Sequence, residues 1–313
     1  MKNWDKDETG QCLGEKEYSD AEYVCRKLEI PLFKVNFVKD YWNNVFSEFL
    51  DDYKSGLTPN PDILCNKHIK FNAFYEYAKK NIKDAISTGH YARTSFGPFL
   101  ENYDRGMDSF KDQTFFLSGI RQDVLQRTMF PLGEYLKKDV KDIAIKIGIP
   151  KLAVKKESTG ICFIGKRNFQ NFIQEYIPSK PGNFIDIDTK KIVGEHNGIH
   201  TWTIGQRCRI HSLNPYYVAK KVPETGDIYV ASDEPSIILE QHISGECFMD
   251  FRKLNCVNFR CFFRFQHTKP LVSCFLQSVP DSNQIVVTLD KPLRAITPGQ
   301  YSVFYNGEEC LGS

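Results

Sequence analysis

Two of the chain's ten cysteines stand apart from the other eight in the residues around them. Cys65 lies in Thr58-Pro59-Asn60-Pro61-Asp62-Ile63-Leu64-Cys65-Asn66-Lys67-His68. Asn60 suits a helix N-cap, and Pro61 suits the first helical position. Cys65 then falls near the first turn, where orphan N–H groups and the helix dipole favour an anion. Lys67, His68 and Lys70 add positive charge. Such surroundings lower a thiol pKa from about 8.5 toward neutrality and make a nucleophile. The other reading of Cys65 is a helix cysteine facing the core.

Cys162 lies in Gly160-Ile161-Cys162-Phe163-Ile164-Gly165, between Lys155-Lys156 and Lys166-Arg167. Glycines permit sharp turns and close backbone approach. The four cations could stabilise a thiolate or bind phosphate. The other reading is a buried strand with solvated charged flanks. The remaining cysteines form no Cys-x-x-Cys, which excludes zinc ribbons and thioredoxin motifs. Cys247, Cys256, Cys261 and Cys274 surround the Phe-rich tract 259–265 and read as small core hydrophobes. The acidic first residues have no apolar signal segment, so a secreted disulfide framework is not expected.

The elements that must position these cysteines follow from hydrophobic periodicity. Residues 20–28, 45–53, 60–80, 122–128 and 138–147 read as helices, with strand-like tracts at 32–38 and 84–87. This alternation predicts an α/β domain with a parallel sheet. Beyond about residue 180, short strands take over at 184–187, 192–194, 228–232, 284–289 and 300–305, after a helix at 168–176. Pro181-Gly182, Pro298-Gly299 and Asn306-Gly307 mark turns between them. That pattern predicts one or two small β-barrels. The expected domains are 1–165, 166–236 and 237–313.

The chain has 313 residues, with 41 Lys+Arg against 39 Asp+Glu, a net charge of +2. A strongly basic nucleic-acid coat is thereby excluded, although local basic patches are not. No apolar run reaches the ~18–20 residues of a membrane helix. The sequence contains neither G-x-x-x-x-G-K-[ST] nor G-x-G-x-x-G. It opens on a helix and stops just after a hairpin signal, and so reads as clipped at both ends.

Six segments in order resemble the tRNA 2-thiouridylase family, and Lys67-His68-Ile69-Lys70-Phe71 and Gly165-Lys166-Arg167-Asn168-Phe169 resemble its animal mitochondrial branch. The six are Asn60-Pro61-Asp62-Ile63-Leu64-Cys65-Asn66, Ser87-Thr88-Gly89-His90-Tyr91-Ala92, Lys111-Asp112-Gln113-Thr114, Gly160-Ile161-Cys162-Phe163-Ile164-Gly165, Thr203-Ile204-Gly205-Gln206-Arg207 and Pro298-Gly299-Gln300. The resemblance implies a Rossmann-like α/β domain of the ATP-pyrophosphatase type, with a truncated parallel sheet. A small linking domain and a β-barrel then follow. It implies adenylation of the carbon-2 oxygen of the wobble uridine with ATP and Mg2+, then sulfur transfer from a persulfide to carbon 2.

On that resemblance Cys162 carries the persulfide and Cys65 attacks it, leaving a Cys65–Cys162 disulfide. Asp62 is the proton-transfer candidate, or simply a carboxylate at a helix N-terminus. Met1 and Gly89 would contact the nucleotide. Asn60, Pro61 and Asp62 would face the target base. His90, Lys111, Asp112, Gln113, Arg264, Phe265 and Gln300 would contact tRNA, Phe265 standing where the family more often has tyrosine. The implied partners are tRNA and a sulfur-relay or cysteine desulfurase donor. The chain is expected to act as a monomer, away from membranes, in mitochondria, though it shows no Arg-rich transit segment. The family's Ser-Gly-Gly-Val-Asp-Ser phosphate loop is not in this sequence, so weak adenylation by this chain is expected. The alternatives are a non-catalytic tRNA-binding isoform and a thiol–disulfide relay protein.

Overall fold

The computed structural model describes residues 1–4, 13–81, 85–94, 103–106, 108, 110–155, 161, 163–165, 167–232, 239–246, 258–279, 282 and 284–313. Cys12, Cys162, Cys247 and Cys256 lie outside them. The chain forms two compact units. One comprises Met1–Ser47, Pro61–Arg167 and Glu308–Cys310; the other comprises Glu48–Asn60, Asn168–Gly307 and Leu311–Ser313.

The first unit has a Rossmann-like α/β character. Ile86–Ser87 pairs in parallel with Thr128–Met129. Hydrogen bonds from Ile86 N to Arg127 O and from Thr88 N to Met129 O extend the pairing. Thr88-Gly89-His90 therefore leaves the carboxyl end of a parallel strand, where open α/β sheets place their ligands. A second parallel contact joins Lys2 to Asn36. The strand expected at 32–38 is reduced to that bridge. Its partner is the N-terminal segment alone, and Val38 already begins a helix.

The helix of the first cysteine begins at Pro61, as the Asn60-Pro61 pair predicts. It runs as α-helix over Pro61–Cys65, as π-helix over Asn66–Ala73 and again as α-helix over Phe74–Asn81. Ile63, Leu64, Ile69, Phe71, Tyr75 and Ala78 face inward. Sequence periodicity puts Phe74 inward, but the structure buries Tyr75 and leaves Phe74 half-buried. The cause is the wider π winding, which closes i→i+5 and delays the inward face by about one residue.

An aromatic cluster gathers around Phe163, the residue after the second cysteine. Phe163 is buried, with ring centroids 5.5 Å from Trp4, 6.0 Å from Tyr41 and 5.2 Å from Phe46. Trp4 also stacks on Trp42 at 5.6 Å. The residue after Cys162 is thus fixed by packing from two helical turns and the N-terminal segment.

The second unit holds two sheets. The first runs, in spatial order, Ile192–His196, Gly182–Asp186, Asp227–Ala231, Tyr216–Val222 and Arg207–Cys208. Phe184, Ile199, Cys208, Val218, Ile228 and Val230 form its core. The second contains Leu239–Glu246, Gln284–Arg294, Val272–Ser278, Asn258–Arg264 and Val303–Asn306, all antiparallel. Cys261 and Cys274 oppose each other in register within its core, their Sγ atoms 3.5 Å apart. Both behave as the small hydrophobes that their Phe-rich surroundings suggest.

Phe163→Ala should destabilise the chain by about 3–5 kcal/mol, the cost of truncating a fully packed aromatic. Urea unfolding would show this as a lower midpoint with an unchanged slope.

Candidate functional site

The site begins in the three residues before the Cys65 helix. Thr58 N donates to Pro298 O at 2.9 Å, and Gln300 Nε2 donates to Thr58 O at 2.6 Å. Asn60 Nδ2 donates to Gln300 Oε1 at 3.4 Å. The Thr58 and Thr203 hydroxyls lie 3.5 Å apart. Three segments far apart in sequence therefore meet at residues 58–60. Gly299 makes this possible. It has φ +94°, and a Cβ there would stand 2.8 Å from Thr58 N. Only glycine suits both the conformation and the approach.

The helix then carries Asp62 and Cys65. Cys65 is buried, at 6% exposure. Asn66 beside it is also buried, and its Nδ2 donates to Phe116 O at 2.8 Å. Asp62 is exposed on the first turn of the helix. Desolvation raises its pKa, and the Lys70 charge opposes the rise. A carboxylate governed by the helix dipole alone would shift the other way.

His90 belongs to the same electrostatic neighbourhood. Burial, reinforced by the Lys70 charge, pushes its pKa down to about 3. Its Nδ1 lies 2.9 Å from the Thr88 hydroxyl, and its ring lies 5.7 Å from Phe71 and 6.5 Å from Phe130. At neutral pH it is an uncharged imidazole, so any contact with RNA is a hydrogen bond or a stack, not an ion pair. Lys70, which the sequence offered as positive charge beside Cys65, is the cation that acts on both Asp62 and His90. Its position eight residues after Asp62 was the available signal, blurred by the π winding between them.

Lys111, Asp112 and Gln113 separate into different roles. Lys111 is half-buried at a turn closed by its N–H to Asp108 O at 2.9 Å. Asp112 is fully buried, and its carboxylate accepts from Thr114 N at 3.2 Å, Thr114 Oγ1 at 2.9 Å and Gly106 N at 3.4 Å. The expectation of an Asp112–RNA contact is corrected here: the side chain faces inward and holds the turn. Gln113 exchanges two hydrogen bonds with Tyr91, N–H to O at 2.9 Å and Oε1 from N–H at 3.0 Å. It thereby fixes the residue after His90.

The barrel residues also need correction. Phe265 is buried in the core of the second sheet and stacks on Phe263 at 6.1 Å. It cannot stack on a base. Arg264 is buried too, with Nη1 donating to His267 O at 2.7 Å and its guanidinium 5.1 Å from the centre of the Tyr305 ring. Gln300 commits both its amide nitrogen and its oxygen to residues 58–60, so it positions Asn60.

Met1 is exposed, and Gly89 is exposed at the end of its strand. A Cβ on Gly89 would meet only Leu132 Cδ1, at 3.7 Å. Neither packing nor a positive φ requires glycine there. Among the described residues no three His, Cys, Asp or Glu side chains gather to hold a metal.

Comparison with known proteins agrees over the whole chain. Residues 1–166 match the family profile described as tRNA methyl transferase HUP domain. Residues 170–232 match the tRNA methyl transferase PRC-barrel domain, and 248–313 the aminomethyltransferase beta-barrel domain. The chain is 56% identical over 332 residues to mitochondrial tRNA-specific 2-thiouridylase 1 of Drosophila melanogaster, covering all of this chain and 85% of that protein. It is 44% identical over 346 residues to the Homo sapiens protein of the same name, covering all of this chain and 82% of that one. It is 41% identical over 323 residues to tRNA-specific 2-thiouridylase MnmA of Lactobacillus johnsonii, with 100% and 86% coverage.

The His90 environment predicts a definite pH response. Its folded pKa of about 3 lies below the ordinary 6.5, so the unfolded chain binds more protons between these values. Its contribution to stability is therefore complete above about pH 6.5 and falls as the pH drops toward 3. Its imidazole signals in an NMR titration should stay those of the neutral ring from pH 7.5 to 5. A midpoint near 6.5 would contradict the packing of the ring against Phe71 and Phe130.

Proposed function

Because the chain belongs to the tRNA-specific 2-thiouridylase family, we propose that it makes 2-thiouridine at the wobble uridine of tRNA in mitochondria. ATP, accompanied by Mg2+, is the co-substrate that turns the C2 oxygen into a leaving group. Met1 and Gly89 would border the nucleotide. Asn60, Pro61 and Asp62 would face the base, with Asp62 handling the proton. Desolvation raises the Asp62 pKa and so favours a carboxyl that can hold and release a proton at the base.

Sulfur transfer would then use the two cysteines. A persulfide on Cys162, supplied by a sulfur-relay or desulfurase partner, presents a sulfur–sulfur bond. The Cys65 thiolate attacks the inner sulfur. A Cys65–Cys162 disulfide forms, and the terminal sulfur leaves as hydrosulfide. Hydrosulfide adds at C2, and AMP departs with the former C2 oxygen. An external dithiol then reduces the disulfide. The observation that carries this reading is the single helix on which Asp62 and buried Cys65 follow the clamped residues 58–60.

The test is thiolation of a tRNA transcript with ATP, Mg2+ and a desulfurase-loaded persulfide donor, read as 2-thiouridine by nucleoside mass spectrometry. Cys65→Ser and Cys162→Ser should each abolish product. Asp62→Asn should slow it by roughly 10²–10⁴-fold, the usual worth of a general acid or base. Full activity in both cysteine variants would overturn the reading.

A further inference from the structure

The Thr203-Ile204-Gly205-Gln206-Arg207 segment has no part in the chemistry above. It folds into a closed turn on the first sheet of the second unit. Gln206 N donates to Thr203 O, and Gln206 Oε1 accepts from Thr203 N, both at 3.0 Å. Gly205 N donates to Val218 O at 2.8 Å, and Val218 N donates to Gln206 O at 2.9 Å. Gly205 has φ +80°, and a Cβ there would stand 2.8 Å from Ala295 Cβ. The turn is therefore held on several sides, and it ends on an exposed arginine.

Arg207 opposes Tyr217 across the Arg207–Cys208 strand pair. Cys208 is buried, while Arg207 and Arg209 on either side of it are exposed. With Ser212 and Asn214 they line a cleft of about 540 Å³ that contains no carboxylate. Among the described residues, neither guanidinium takes part in an ion pair or a side-chain hydrogen bond. Arg26, Arg121 and Arg260 each hold a carboxylate. The Ser212 hydroxyl donates to Asn214 O, so the donors that the cleft offers are the two unneutralised guanidinium groups and the Asn214 amide, a set that binds phosphate.

We infer that this cleft binds the phosphodiester backbone of the RNA substrate, away from the target base. The inference rests on the tRNA reading above. Residues at i and i+2 of extended chain lie about 6.6–7 Å apart, so the two guanidinium groups reach separate phosphates, which a single small anion does not offer. Arg294, 5.3 Å from the centre of the Tyr217 ring, extends the same positive region.

The test is the salt dependence of tRNA transcript binding by the full chain, compared with R207Q/R209Q and R207K/R209K. The glutamine pair should reduce the log–log slope by about 1.4–1.8, at 0.7–0.9 per phosphate contact. The lysine pair should keep the wild-type slope. Should the double variant melt early, Arg209→Gln alone lies outside the strand and should still reduce the slope by about 0.7–0.9. An unchanged affinity and slope in a folded glutamine variant would overturn the inference. So would calorimetry showing inorganic phosphate bound by wild type and lost in the variant while tRNA binding stays the same, which marks a small-anion site. A wild-type chain that binds no tRNA would overturn the functional reading itself, and the backbone site with it.

Discussion

Everything proposed for the reactive helix depends on how the chain enters it. Residues 58–60 are joined to Pro298-Gly299-Gln300 by a backbone hydrogen bond and by both ends of one side-chain amide. Each bond contributes only about 0.5–1.5 kcal/mol. Pro59 and Pro61 add fixed φ angles on either side of Asn60, so little conformational freedom remains to be lost. The clamp ends at Asn60, and the helix that carries Asp62 and Cys65 begins at the next residue, Pro61.

The electrostatics of the first unit follow a similar economy. Desolvation acts in opposite directions on Asp62 and His90, raising one pKa and lowering the other, and so favours the neutral form of both. Lys70 opposes the shift at Asp62 and reinforces it at His90. Burial is the larger cause at both groups, and the one cation modulates it in opposite senses. Asp112 and Gln113 support this arrangement indirectly by fixing the turn and the strand end that carry His90.

Local signals were legible in the sequence. Asn60-Pro61 marked the helix start, the Phe-rich tract marked Cys261 and Cys274 as core, and the change to short strands marked the β half. What could not be read depends on tertiary context. The π winding leaves no periodic signature because it alters the period itself. Phe265 and Arg264 look like an aromatic–cation RNA surface, but strand alternation and the packing of Phe263, Phe304 and Tyr305 bury both. Asp112 looks like a solvent-facing loop carboxylate, but three N–H and O–H donors turn it inward. The Asn60–Gln300 contact joins residues 240 apart, a separation that no local pattern encodes.

The central claim is that Gln300 orders the entrance to the reactive helix. Amide hydrogen exchange in Gln300→Ala tests it most directly, read on the peptide covering residues 57–60. Loss of the Gln300 side chain removes the acceptor for Asn60 and the donor to Thr58, so this segment should exchange at least tenfold faster, the equivalent of about 1.4 kcal/mol. The strands at Val272–Ser278 and Gln284–Arg294 should be unaffected. Unchanged exchange at 57–60 would contradict the account, because the entrance would then be held without the clamp.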